Sequence, residues 1–200
     1  MTLKKDILPL VLVTAASIII FTLIFLKRKN YEFMIYIAVI IFFAVIIGSA
    51  HNKINYPKYV LWWLLAWAVM HMSGGGLYIG GKKLYELMIF KIVGEPYNIF
   101  KYDQLVHIIG FFAATLALYY TLKPLLKDDL EKWTALSIIV IMAGLGAGAL
   151  NEIVEFTATV FVPETGVGGY ENTSLDLVAD LIGAVIAMFY IRFRKANGKI

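Results

Sequence analysis

The sequence predicts an all-α fold, a polytopic membrane bundle of about six transmembrane helices plus an interfacial or re-entrant helix, in one domain over residues 1–200. Three observations predict it. The chain is 60% hydrophobic and 16% charged with mean hydropathy +0.78, whereas soluble domains carry about 25% charged residues. Its apolar residues fall into runs of roughly 20, the length that crosses a bilayer as a helix. Lys and Arg gather near the ends of those runs, where headgroup phosphates receive them. The net charge of +4 therefore points to membrane lipids as partners and gives no reason to expect nucleic acid. Cysteine is absent, so disulfides and thiolate metal sites are excluded.

The first span is expected over 7–26, closed by Lys27, Arg28 and Lys29. It follows Lys4 and Lys5 like a leader, but the run lacks a small-residue cleavage site and reads as a span. The second, 33–50, is nearly free of polar groups and ends in a polar stretch containing Pro57. The third, 59–76, opens with Trp62, Trp63 and Trp67, aromatics suited to an interface, and ends in His71 and Gly74 to Gly76. From 78 to 102, Lys82, Lys83, Glu86, Lys91, Glu95 and Lys101 alternate with Leu84, Leu87, Met88, Phe90 and Ile92. That segment is too charged to span and reads as an amphipathic interfacial or re-entrant helix. The fourth span is 103–122; the fifth, 133–161, is long enough to require tilt or a projecting end. A Gly- and Pro-containing loop then leads to the sixth span, 174–193, and a basic tail.

Eleven of the 18 Lys and Arg residues fall on the N-terminal side of six alternating spans, among them Lys4, Lys5, Lys127 and Lys199. This bias predicts a multi-pass protein of the cell membrane with both termini cytoplasmic.

Six ionisable side chains interrupt the last three spans in short pairs: Asp103 with His107, Glu152 with Glu155, and Asp176 with Asp180. Asp103 and His107 open one span, Glu152 and Glu155 lie late in the next, and Asp176 and Asp180 open the last. Alternating span directions bring all three pairs to one membrane face, the outer one on the favoured topology. Residues three, four and seven apart share a helix face, so Asp103, His107, Gly110 and Ala114 form one stripe. Asp176, Asp180, Gly183 and Ala187 repeat it, and Gly144, Gly148, Glu152 and Glu155 form a third. Small residues below each polar pair let helix backbones approach closely in lipid.

An ionised acid at mid-span costs about 2.5–3.5 kcal/mol on insertion scales, and facing carboxylates also repel. Protonation, basic partners or a bound cation would relieve the cluster. A divalent metal answers the charge most directly: carboxylates with an imidazole suit zinc, manganese or iron, while magnesium would use oxygens alone. The expected ligands are His107, Glu152, Asp180 and Asp176, with Glu155 or Asp103 as general base and His71 as a further site residue. Each has a plainer reading. Asp176 follows Thr173 and Ser174 and would serve as an N-cap; Asp103 would begin its helix at the interface. His107 would be a hydrogen-bonded interior histidine, and His71 would precede a glycine hinge. Glu155 would be interfacial, and Glu164, Glu171 and Asn172 solvated loop residues.

The run Asp103-Gln104-Leu105-Val106-His107, then Asn151-Glu152-Ile153-Val154-Glu155, then Asp176 through Asp180 to Gly183 resembles the VanZ-like membrane proteins. Those have Asp-Lys-x-x-His at a helix start, Glu-x-x-Gln, and Asp-x-x-x-Asn-x-x-Gly. Gln104 stands here for the Lys, Glu155 for the Gln and Asp180 for the Asn, and each change makes the site more acidic or less basic. The wider arrangement, with His71-Met72-Ser73 and Gly74 to Gly76 ahead of Tyr102-Asp103, is similar to the YjdF-like membrane family. The likeness covers about 66–187. It implies an envelope protein, the VanZ-like group being linked to glycopeptide resistance.

Three functions fit these residues. One is an intramembrane metal-dependent hydrolase acting on a lipid or envelope intermediate, in which a metal held by His107, Glu152 and Asp180 activates water. The second is a small carrier or channel for ions, protons or metal. The third is a structural or lipid-binding module with protonated acids. No nucleophile elbow, phosphate loop or nucleotide fingerprint occurs, because the Gly-rich segments lie in or beside membrane helices.

Overall fold

A computed structural model of the chain describes residues 7–126, 132–162 and 165–198. Lys4, Lys5, Lys127, Glu164 and Lys199, used above, lie outside them. Among the described residues six α-helices run in chain order, α1 Leu8–Arg28, α2 Tyr31–Ile54, α3 Lys58–Gly76, α4 Tyr102–Leu122, α5 Trp133–Phe161 and α6 Tyr170–Ala196.

Local chemistry sets their ends. Lys29 turns left-handed at φ 54° to close α1, and the Asn30 side chain then accepts from Phe33 N–H at 3.2 Å to cap α2. Asn55, at φ 56°, ends α2, and Pro57 precedes the first turn of α3. At the opposite end of α3, Arg28 donates to the Gly76 carbonyl and lies 4.7 Å over the Tyr78 ring, joining the ends of α1 and α3.

The bundle is a helical membrane fold, but among the described residues five helices rather than six are long and apolar enough to cross a membrane. The exception is α3, whose Lys58, His71, Ser73 and aromatic and glycine content dilute its apolar character. The helices that carry the three polar pairs, α4, α5 and α6, all belong to the five.

The helix expected between α3 and α4 is replaced by two small antiparallel hairpins. Strand β1, Tyr78–Ile79, pairs with β2, Lys82–Lys83, and β3, Met88–Val93, pairs with β4, Ile99–Lys101, around a 3-10 turn at Leu84–Glu86. Gly80 and Gly81 both take positive φ, 59° and 83°, the backbone that a two-residue hairpin turn demands. Apolar residues on β3 stay outward on both of its faces, with Phe90 67% and Ile89 43% exposed, so the segment is extended instead of helical.

Packing is closest between α4 and α6. A Cβ added at Gly183 would overlap the Ile108 carbonyl oxygen and stand 2.9 Å from Phe112 N, so the two backbones touch there. On α5, Gly148 makes room for the Asp180 side chain and Gly144 for Thr115. These contacts between small residues let three helices carrying acids converge without intervening bulk. Around them lie two apolar clusters, one centred on Val60, Leu116, Val140 and Ile191, the other on Phe25, Phe33, Ile37 and Met72.

Candidate metal centre

The site begins at the start of α4. Lys101 N–H donates to Gln104 Oε1 at 2.8 Å, which fixes the first turn and leaves Gln104 Nε2 to donate to Asp176 Oδ1 at 3.2 Å. One turn on, the buried His107 ring turns toward α6, where Nδ1 and Asp180 Oδ1 are 2.8 Å apart. With Asp180 ionised, Nδ1–H is the donor; in the neutral imidazole, the form that could hold a cation, Nε2 then carries the lone pair. Nε2 lies 3.9 Å from Asp103 Oδ1 and 4.0 Å from Asp176 Oδ1. Two ligands bound at about 2.0–2.2 Å to one tetrahedral ion are themselves roughly 3.5 Å apart, so these three atoms need move little to share a cation.

The acids of α5 also come near this histidine. Among the described residues, two groups bring their potential ligand atoms within 4.8 Å of one another: Asp103, His107 and Asp176, and His107, Glu152 and Glu155. His107 belongs to both. Glu152 is buried, and neither carboxylate oxygen closes a hydrogen bond of normal geometry, although Thr173 and Asn151 lie beside it. Glu155 is anchored instead, accepting from Asn151 Nδ2 at 2.9 Å. A buried carboxylate short of donors is expensive to ionise, and a nearby cation is one of the groups that would offset that cost.

These donors therefore fit a metal: one imidazole nitrogen, several carboxylates, and a carboxylate behind the imidazole to hold its tautomer. Asp180, expected as a ligand, stands in that rear position.

A family model described as Predicted membrane protein (DUF2238) matches residues 8–197. The chain belongs to that family. It is accordingly a multi-pass membrane protein with buried acidic and histidine groups. Neither a comparison with curated proteins nor one with solved structures gives a match.

The plainer readings of this DUF2238 chain divide. Helix α6 starts at Tyr170 rather than at 174, with Gly169 as its N-cap, so Asp176 is interior to the helix, fully buried, and no cap. Asp103 does sit in the first turn of α4, where the helix dipole favours it, and its face still meets His107. His71 is outside both ligand groups. It is enclosed by Phe33, Tyr36, Trp67 and Tyr85, with Nδ1 2.6 Å from the Tyr85 hydroxyl. Burial, then the charge of Asp103, holds the Tyr85 phenol well above its ordinary pKa, so it remains a neutral partner.

Three polar residues join the centre or its surroundings without having been expected there. Asn172, read as a solvated loop residue, lies on α6 and donates through Nδ2 to both Asp176 and, at 3.3 Å, Asp103. Its spacing of four from Asp176 was the available signal. Gln104, noted as a replacement for a lysine, supplies the second donor to Asp176. Glu32, in the first turn of α2, is buried and accepts from Gly166 N–H at 2.6 Å, fastening the loop before α6 to α2. Nothing in its local sequence announced that.

Proposed function

We propose that this protein is an intramembrane metal-dependent hydrolase acting on a lipid or envelope intermediate at the membrane face. The observation that carries the reading is His107: Asp180 takes one ring nitrogen, and the other meets Asp103 and Asp176 while two α5 acids stand near. His107, Asp103 and Asp176 would hold a divalent ion, with zinc, manganese or iron favoured by the nitrogen donor and magnesium requiring carboxylates alone. When bound, such an ion would polarise the scissile group and lower the pKa of water.

The chain's own groups supply the rest. Asp180 orients His107, and Asn172 and Gln104 hold Asp103 and Asp176 in place. Glu152, which closes no hydrogen bond of normal geometry and stands next to Glu155, is the carboxylate available to take a proton from the attacking water. This exchanges the roles that the sequence pattern implied for Asp103 and Glu152. The likeness to VanZ-like and YjdF-like proteins supports an envelope role without naming a reaction.

Elemental analysis after gentle purification tests the reading, with wild type beside His107→Ala and Glu152→Gln. About one ion per chain is expected in wild type and Glu152→Gln, and none in His107→Ala. A metal-free wild type overturns the proposal. If Glu152→Gln abolishes ion flux into sealed liposomes, the site belongs to a carrier instead.

A further inference from the structure

Beside the centre, a cavity of about 460 Å³ lies between the turn joining β3 to β4 and the first turns of α6. Pro96, Tyr97 and Lys101 line one wall, and Tyr170, Glu171 and Asn172 line the other. Each wall reaches the candidate metal centre through one of its own residues. Asn172 donates directly to Asp103 and Asp176, and Lys101 N–H holds Gln104, which donates to Asp176. A group seated here is thus adjacent to the acids without displacing them.

The cavity pairs opposite charges instead of concentrating one sign. Lys101 is the cation of one wall and Glu171 the anion of the other; among the described residues neither joins an ion pair. Tyr97 and Tyr170, 51% and 86% exposed, add aromatic faces. An ammonium is recognised by a carboxylate together with aromatic faces, and a phosphate by a lysine. The volume falls in the range of small-ligand sites, about 300–1,000 Å³.

We propose that this cavity binds a zwitterionic phosphoamine headgroup of a membrane lipid, the phosphate at Lys101 and the amine between Glu171 and the two tyrosines. The assignment rests on the hydrolase reading for its consequence, since it names the substrate class, but its binding residues are separate from the metal ligands.

Titration of the detergent-solubilised full chain with short-chain phosphatidylethanolamine tests it, against short-chain phosphatidylglycerol, diacylglycerol and free glycerophosphoethanolamine. The ethanolamine lipid is expected to bind about tenfold tighter than phosphatidylglycerol, which lacks the amine, and than diacylglycerol, which lacks the phosphate. Lys101→Ala and Glu171→Gln should each weaken it by about the same factor, and the charge exchange K101E with E171K should recover part of the loss. Equal affinity for phosphatidylglycerol, or an unchanged constant in Glu171→Gln, overturns the proposal. Equal binding of free glycerophosphoethanolamine overturns its lipid half and makes a soluble phosphoamine the ligand. Metal analysis and the lipid titration on the same wild-type preparation separate the two readings: headgroup binding in a wild type found without metal sinks the hydrolase alone, and metal kept without headgroup selectivity sinks this site alone.

Discussion

The α1–α2 half of the molecule and the α4–α6 half meet their surroundings differently, most widely where α1 is set beside α4. In α1, 11% of the apolar window is buried within the protein, and in α4, 61% is. Leu12, Ile19 and Leu23 of α1 face outward, whereas Gln104, His107 and Thr115 of α4 face in. Lipid is as apolar as leucine, so an aliphatic side chain gains nothing by leaving it, while a carboxylate gains much by meeting a donor or a cation. The buried polar residues of α4 therefore turn toward protein, beside the apolar clusters that fill the rest of the interior. The contrast predicts that function and stability are sensitive in one half and tolerant in the other.

The largest effect should follow from breaking the centre at the residue both ligand groups share. His107→Ala is expected to lower affinity for zinc or manganese by more than about 100-fold, read by isothermal titration on metal-stripped protein. Acid should mimic it in wild type, because protons compete with metal for the same imidazole and carboxylates: affinity falls as pH drops and returns as it rises. An affinity independent of pH, or unmoved by His107→Ala, would place any metal elsewhere.

The next effect sharpens the division between ligand and support. Asp180→Asn keeps the shape behind His107 but removes the anion, so affinity should fall about 10–100-fold, less than for His107→Ala. A loss equal to that of His107→Ala would return Asp180 to the ligand shell.

How much of this was legible in the sequence follows from the same contrast. The span expected at about 133–161 falls on α5, Trp133–Phe161, because a long apolar run is a local signal. The convergence of Asp103, His107, Glu152, Asp176 and Asp180 was readable because alternating spans and helical spacing fix which face each pair occupies. The partners of those residues were not. Asn172 reaches Asp103 across 69 positions and Gly166 reaches Glu32 across 134, contacts that no local pattern encodes. The hairpins were missed for another reason: the mix of charged and apolar residues over 78–102 suggested a helix, and the turn signal of Gly80-Gly81 went unused.

A smaller effect concerns how the polar half is held together. The α4–α6 contact at Gly183 leaves no space for a side chain, so Gly183→Ala must displace the backbone at Ile108 and Phe112. Overpacking of this kind costs about 1–3 kcal/mol, and a lowered melting temperature in detergent should report it. Because Asp180 lies one turn away on α6, metal affinity should fall in parallel, linking packing to the site. Unchanged melting would mean that α4 and α6 are less closely apposed than described.

The smallest effect is expected where the comparison is most exposed to failure. Leu23→Ala on α1 removes a side chain that is 62% exposed and, in a membrane, meets acyl chains. Truncating it leaves no protein cavity, since lipid follows the surface, so stability should stay within about 0.5 kcal/mol of wild type and metal affinity should not change. Melting in detergent and in lipid nanodiscs, beside Gly183→Ala, makes the measurement. A loss matching that of Gly183→Ala would show that the outward face of α1 is covered by protein, through a second copy or another chain. The asymmetry between the two halves would then describe an isolated subunit, with α1 and α2 forming an interface in place of a lipid boundary.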